Sequence, residues 1–194
     1  MTALELRATR AARSFIDIAP LRVHEVTLNG RRLPARLPAA ERMPIDVRRG
    51  ENRLVVDADY ACGPAPAGLC RSVDGRDGRI YAWTNFEPAD AHRVFACFDQ
   101  PDLKARFHVR VVAPPHWTCV SSGALSFVEP TTGRDGRQTA VWQFEETPRL
   151  PPRTCSGSWR DRSMPSRGPT GGLRSGSTAR CRWPTVSTRT SSWR

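Results

Sequence analysis

Between Thr84 and Phe107 the chain reads TNFEPADAHRVFACFDQPDLKARF, and this stretch concentrates side chains able to do chemistry. Glu87 offers a carboxylate two residues after Asn85, and the residues alone make it an ordinary strand-end acid paired with Arg93. Asp99 and Asp102 flank Gln100-Pro101 and suggest a paired-carboxylate site. Asp bonds readily to its own local backbone, so turn capping is the reading these residues favour. Arg93 and Lys104 read as solvated or salt-bridging positions, not as anion binders. The four histidines (His24, His92, His108, His116) are isolated, and no two stand four apart with Glu after the first. An H-E-x-x-H zinc helix is therefore missing from this sequence. Six cysteines (Cys62, Cys70, Cys97, Cys119, Cys155, Cys181) form no C-x-x-C pair. Cys62 and Cys70 lie in CGPAPAGLC and would bridge in an oxidising compartment. Free thiols in a reducing cytoplasm fit better, because no apolar leader follows Met1 and no apolar run approaches ~18 residues. Cys97 and Cys119 sit among apolar residues and read as small core hydrophobes.

The elements that must position these groups read as strands. Leu4–Thr9, Phe15–Ile18, Val23–Leu28, Arg53–Tyr60, Trp117–Ser121 and Thr139–Glu145 are candidates. Asn29-Gly30 follows Val23–Leu28, and a type I′ hairpin turn needs positive φ at both of its central residues. Gly50–Asn52 makes a turn ahead of LVV. Ala105–Val112 alternates most clearly, with Phe107, Val109 and Val111 on one face and Arg106, His108 and Arg110 on the other. Ala140, Trp142 and Phe144 share a face in the same way. TTGRDGRQ, Thr131–Gln138, reads as a turn-rich connection. A single short helix is expected after Pro88, with Asp90 near its N-terminus, Val94, Phe95 and Phe98 on its apolar side, and an end before Pro101. The fold class is all-β: an antiparallel sandwich or saddle-shaped sheet with one short helix.

Charge divides the chain in two. Of the 194 residues, 30 are Lys or Arg and 19 are Asp or Glu, giving a formal charge of +11. Residues 151–194 carry nine arginines against one acid, so most of the excess lies there. A basic surface spread over a fold suggests nucleic acid or an acidic membrane, whereas one confined to a tail says little about the folded part. In that tail 34 of 44 residues are Arg, Ser, Thr, Pro or Gly, a composition that buries too little apolar area to offset chain entropy. The division is therefore a β-domain over 1–152 and a disordered basic tail over 153–194. Arginines interleaved with Trp159, Trp183 and Trp193 leave nucleic-acid binding by charge and stacking as a rival function. A non-catalytic β-sandwich interaction module is a further alternative.

FEPADAHRVFACFDQPDLKARFHVRVVAPPHWTCVSSGAL resembles the N-terminal β-domain of the zinc-dependent aminopeptidase N family, and VHEVTLNG and TPRLP resemble further segments of it. The family's Gln-x-Glu element is matched by Asn85-Phe86-Glu87, and its aromatic-Asp-x-Pro turn by Phe98-Asp99-Gln100-Pro101. The resemblance implies a cytoplasmic parent peptidase that removes single residues from peptide N-termini using zinc. It also implies that Glu87 helps bind the substrate's free α-amino group. Asn85 stands where the family has Gln, one methylene shorter, so its share in the first substrate pocket is open. The G-x-M-E-N loop and the H-E-x-x-H helix of the family are absent, which implies no catalytic residue, no metal ligand and no activity in this chain alone. The expected partner is a peptide N-terminus, with neither a specific nucleic acid nor a membrane, and a missing catalytic domain of the same parent chain. The family's domain also opens with strands before the one matching Leu4–Thr9, so an incomplete start is expected.

The tail has a sharper explanation as out-of-frame translation. Joining the last base of each codon to the first two of the next gives Ala at Trp159 and Met164. The other free bases permit YLFGLVAGPFHAV over Arg153–Ser166 and LYCPLSLADRLDADELLA over Gly176–Arg194. Both strings resemble the family's continuation after TPRLP.

Overall fold

The computed structural model describes residues 1–161 except 65 and 134, together with 179–181 and 186–189. Its strands are β1 (Thr2–Ala8), β2 (Ala12–Asp17), β3 (Arg22–Leu28), β4 (Arg31–Leu33), β5 (Arg42–Val47), β6 (Gly50–Gly63), β7 (Gly68–Val73) and β8 (Ile80–Asn85). They continue as β9 (Arg106–Ala113), β10 (Trp117–Ser121), β11 (Leu125–Thr132), β12 (Gln138–Phe144), β13 (Gly157–Asp161), β14 (Ala179–Cys181) and β15 (Val186–Arg189). The large sheet runs β10-β13-β8-β7-β6-β1-β15-β9-β12-β11, with β3 and β14 also on β6 and β4 on β3. A second sheet pairs β2 with β5. The fold is all-β as expected, and its pairings are antiparallel apart from β6–β7 and β1–β15.

β6 is the spine. Its inward residues Leu54, Val56, Ala58, Tyr60 and Cys62 are buried at alternate positions, the spacing that puts one face of a strand into a core. Ahead of them, buried Asn52 fixes the β5–β6 turn: its amide donates to the Arg48 and Gly50 carbonyls and its Oδ1 accepts from Arg48 N and Asn29 Nδ2. The β3–β4 hairpin has positive φ at both Asn29 (53°) and Gly30 (80°), the backbone that Asn-Gly tolerates at low cost. β9 alternates as read, with Phe107, Val109 and Val111 buried and Arg106, His108 and Arg110 exposed.

The interior divides into two clusters. One gathers Leu4, Leu6, Ile16, Ile18, Val26, Ile45, Leu54 and Val56. The other gathers Phe86, Phe95, Phe107, Val109, Val111, Trp142, Phe144 and Trp159. Residues 86–98 run between them, sending Phe86, Val94, Phe95 and Cys97 to the second cluster and Ala96 to the first.

Three expectations are corrected. The short helix is only a 3-10 turn over Ala91–Arg93. The backbone groups an α-helix would use are taken elsewhere: Asp17 and Cys97 exchange N–H···O bonds, and Ala19 N donates to the His92 carbonyl. Disorder does not begin at 153, because residues 152–154 form a 3-10 turn and Gly157–Asp161 is a strand paired on both sides, with β8 and β10. Trp159, centred in that strand and 3% exposed, supplies one large buried aromatic where composition promised none. Residues 162–178, 182–185 and 190–194 lie outside the described residues. Finally, β11 runs into the stretch read as a turn-rich connection, and only 133–137 link it to β12.

Candidate functional site

Asn85-Phe86-Glu87 sits where β8 ends and the 86–98 segment begins. Phe86 anchors it, 3% exposed and edge-on to Phe95 at 5.7 Å, and Phe95 stacks edge-on against Phe107 at 6.0 Å. Before it, Thr84 Oγ1 accepts from Gly157 N at 2.9 Å, which ties the end of β8 to β13. Asn85 donates its side-chain N–H to the Pro66 carbonyl, and its Oδ1 accepts from Glu87 N at 3.4 Å. Asn85 is thereby a bracket for the Glu87 backbone, which is a role its shorter side chain can fill.

With both neighbours held, the Glu87 side chain projects outward and is 66% exposed. It is not paired with Arg93. Its cationic neighbour is Arg153, with Nε 4.0 Å from Glu87 Oε1. An exposed ion pair at that distance contributes little, so the carboxylate is available to a stronger cation. Arg93 instead donates to Asp90 Oδ1 at 2.6 Å and lies 3.8 Å from Glu41 Oε1, which bears out its reading as a salt-bridging residue. Gly68 makes room for it: at φ +75° it presents no Cβ to the Arg93 stem, which would stand 3.0 Å away.

Asp99 does not cap its own turn. Its Oδ2 accepts from His92 N at 3.2 Å and faces His92 Nδ1 at 2.7 Å, while Asp99 N donates to Asp17 Oδ2 at 3.0 Å. The other ring nitrogen of His92, Nε2, faces Glu41 Oε2 at 3.0 Å. Hydrogen bonding to Asp99 raises the His92 pKa above its ordinary value, against the lowering effect of burial, and Glu41 adds to the rise. Sequence reading left His92 isolated, because Glu41 arrives from a distant loop and only the fold makes them neighbours. The seven-residue spacing to Asp99 was the one signal present. Asp102 stays exposed and does not join Asp99 in a paired-carboxylate site.

Cys62, Cys70, Cys97, Cys119 and Cys155 are all buried and none of them is in a disulfide. Burial pushes the Cys119 and Cys155 thiols up to about 12 and the Cys97 thiol well above its ordinary range, so they act as core hydrophobes. Among the described residues no three His, Cys, Asp or Glu side chains converge to hold a metal ion. No helix among them is long and apolar enough to cross a membrane. Trp159 is committed to the core and is not available for stacking on a base, while Trp183 and Trp193 lie outside the described residues.

Comparison with known proteins places this geometry. Residues 66–152 match the Peptidase M1 N-terminal domain family. The chain is 44% identical over 139 residues to an aminopeptidase N of Streptomyces lividans, covering 71% of this chain and 15% of that protein. It is 31% identical over 134 residues to a probable M1 family aminopeptidase 1 of Encephalitozoon cuniculi, covering 63% and 15%. It is 33% identical over 89 residues to an aminopeptidase N of Rattus norvegicus, covering 43% and 9%. The chain thus spans at most 15% of the length of these relatives.

Proposed function

Because residues 66–152 belong to the Peptidase M1 N-terminal domain family, we propose that this chain is the amine-recognising part of a zinc aminopeptidase that removes single residues from peptide N-termini. The observation that carries this reading is Glu87: an exposed carboxylate on a backbone held by Asn85 and by buried Phe86. A peptide N-terminus is an ammonium, and a positioned carboxylate gives it a charge-assisted hydrogen bond that an internal peptide nitrogen cannot match. In this role Glu87 selects for free N-termini and sets their depth, and Asn85 contributes by fixing the Glu87 main chain.

Zinc in such an enzyme supplies a Lewis acid for the attack of water. The described residues do not form a set fit to hold it, so no catalytic step is assigned to them; the reading that this chain alone is inactive is supported by the lack of G-x-M-E-N and H-E-x-x-H in its sequence. The working compartment is the cytoplasm, a reading supported by five buried cysteines that form no disulfide. Residues from about 153 onward are out-of-frame translation. In support of this, the family match stops at residue 152, where composition changes and before the nine-arginine excess.

The amine role is tested on a protein in which residues 1–152 are joined in frame to a catalytic part. Glu87→Gln there is expected to lower kcat/KM for leucine p-nitroanilide about 100-fold, the scale of one charge-assisted hydrogen bond to the substrate lost. An unchanged kcat/KM would remove Glu87 from substrate binding.

A further inference from the structure

His92 stands between two carboxylates, and both are acceptors when ionised. Its Nδ1 is 2.7 Å from Asp99 Oδ2 and its Nε2 is 3.0 Å from Glu41 Oε2, so both ring nitrogens face a carboxylate oxygen within hydrogen-bond distance. A neutral imidazole has one N–H and would turn a lone pair on one of the two oxygens. Only the imidazolium satisfies both. The ring is 13% exposed, Asp99 6% and Glu41 50%, so the Asp99 side of the bridge is screened least by water.

The bridge joins the bend to the turn ahead of β5, where the longer Arg93–Glu41 contact of 3.8 Å also crosses. Asp99 closes the 86–99 bend, and Glu41 belongs to the turn leading into β5. The charged groups around the ring are Asp17 from β2, Glu41 and Arg42 from the 39–42 turn, and Asp90, Arg93 and Asp99 from the bend itself. Asp17 accepts from Asp99 N at 3.0 Å and faces Arg42 Nε at 3.4 Å; Arg93 is held by Asp90 and Glu41. The surroundings are thus anionic on the sides His92 faces, which favours the cation. The His92 carbonyl also accepts from Ala19 N at 2.9 Å, so ring and backbone both dock on the β2–β5 layer.

We infer that His92 is carried as an imidazolium and that its bridge from Asp99 to Glu41 is a proton-dependent latch positioning the bend that carries Glu87. The functional meaning of the latch rests on the amine-binding reading of Glu87; its existence does not. Glu87 lies between two fixed points, the Asn85–Pro66 bracket upstream and the latch downstream, and the intervening turn is closed by Asp90 N donating to the Phe86 carbonyl at 3.0 Å. Losing the His92 proton sets a ring lone pair against one carboxylate and releases the downstream point. Raised His92 pKa, with Asp99 as the first cause, puts that release above the ordinary imidazole range and not below it. Glu87 would then sample positions that no longer fit a bound ammonium, and substrate recognition would weaken as pH rises through that point.

The test uses the 194-residue chain, labelled with 15N, in NMR. Both His92 ring nitrogens are expected to carry protons at pH 6, with a titration midpoint above that of an ordinary imidazole and lowered in Glu41→Gln. Amide protection at Asp90, Val94 and Phe95 is expected to fall about tenfold in His92→Gln, which keeps one donor, while the β6 amides stay within threefold. Glu41→Gln, at a half-exposed position, gives the same direction should His92→Gln fail to fold. A neutral His92 at pH 6, or unchanged protection in both variants, would overturn the latch. Leucine amide serves as the amine probe: it should shift the Glu87 signals, less so above the His92 midpoint and not at all in Glu87→Gln. If it leaves Glu87 unmoved while the ring titrates as stated, the amine reading fails and the latch stands.

Discussion

Glu87 and His92 show how differently two polar side chains are made useful. Glu87 is kept available by its surroundings: Phe86 is buried, Asn85 holds the main chain, and its cationic neighbour Arg153 lies 4.0 Å away. His92 is the reverse, a group whose value comes from being enclosed by Asp99 and Glu41. Its raised pKa has a definite sign in stability. A folded-state value above the unfolded one contributes stability that is fully present below about pH 6.5, the ordinary imidazole value, and is lost as pH rises through the raised value. Urea unfolding of wild type and His92→Gln should therefore differ most in mildly acidic solution and converge at alkaline pH; a difference that grows with pH would contradict the bridge. Cysteine reactivity follows from burial. Cys97, Cys119 and Cys155 hold thiols with raised pKa values inside the core, so iodoacetamide at pH 7.5 should leave them unmodified in the folded chain and label them promptly in denaturant. Rapid labelling of Cys97 without denaturant would mean that the bend is not packed.

At the scale of the element, the 86–98 segment is held by side chains on both cores as well as by short-range hydrogen bonds such as Phe95 N to the Ala91 carbonyl. Phe95 is its central aromatic anchor, 2% exposed and edge-on to both Phe86 and Phe107. Phe95→Ala should cost about 3–5 kcal/mol by chemical denaturation, the range for deleting a buried phenyl group. A loss below about 1 kcal/mol would show that the segment does not bridge the clusters. This element also marks the limit of what the residues disclose. β9 and the Asn29-Gly30 hairpin were legible because alternation and positive-φ chemistry are local properties. The helix after Pro88 was misread because Ala91, Val94 and Phe95 fit a helical stripe, while the competitor for its backbone, Asp17, sits on a remote strand. β11 escaped notice for another reason: Leu125, Phe127 and Val128 are all about half exposed, so no face alternates. Glu87 was legible only through the resemblance, and the His92 bridge was not legible at all. Its partners meet through tertiary packing.

For the molecule as a whole, two cores, one large sheet and the β2–β5 pair make a domain that matches the M1 N-terminal family over residues 66–152, with pairing that continues through Asp161. The strand Gly157–Asp161 occupies the slot between β8 and β10 with one buried tryptophan, so a sequence of poor strand-forming composition is recruited by backbone pairing on both sides. In the shifted frame the same codons permit a hydrophobic strand for this slot, which would fill it better. On the function proposed above, the protein is the amine-recognising domain of a zinc aminopeptidase whose catalytic part is specified in the other frame. The coding DNA tests this most directly. Read from the codon of Arg153 in the shifted frame and on past position 194, it should stay open and reach G-x-M-E-N followed by H-E-x-x-H; prompt stop codons in that frame would contradict the account.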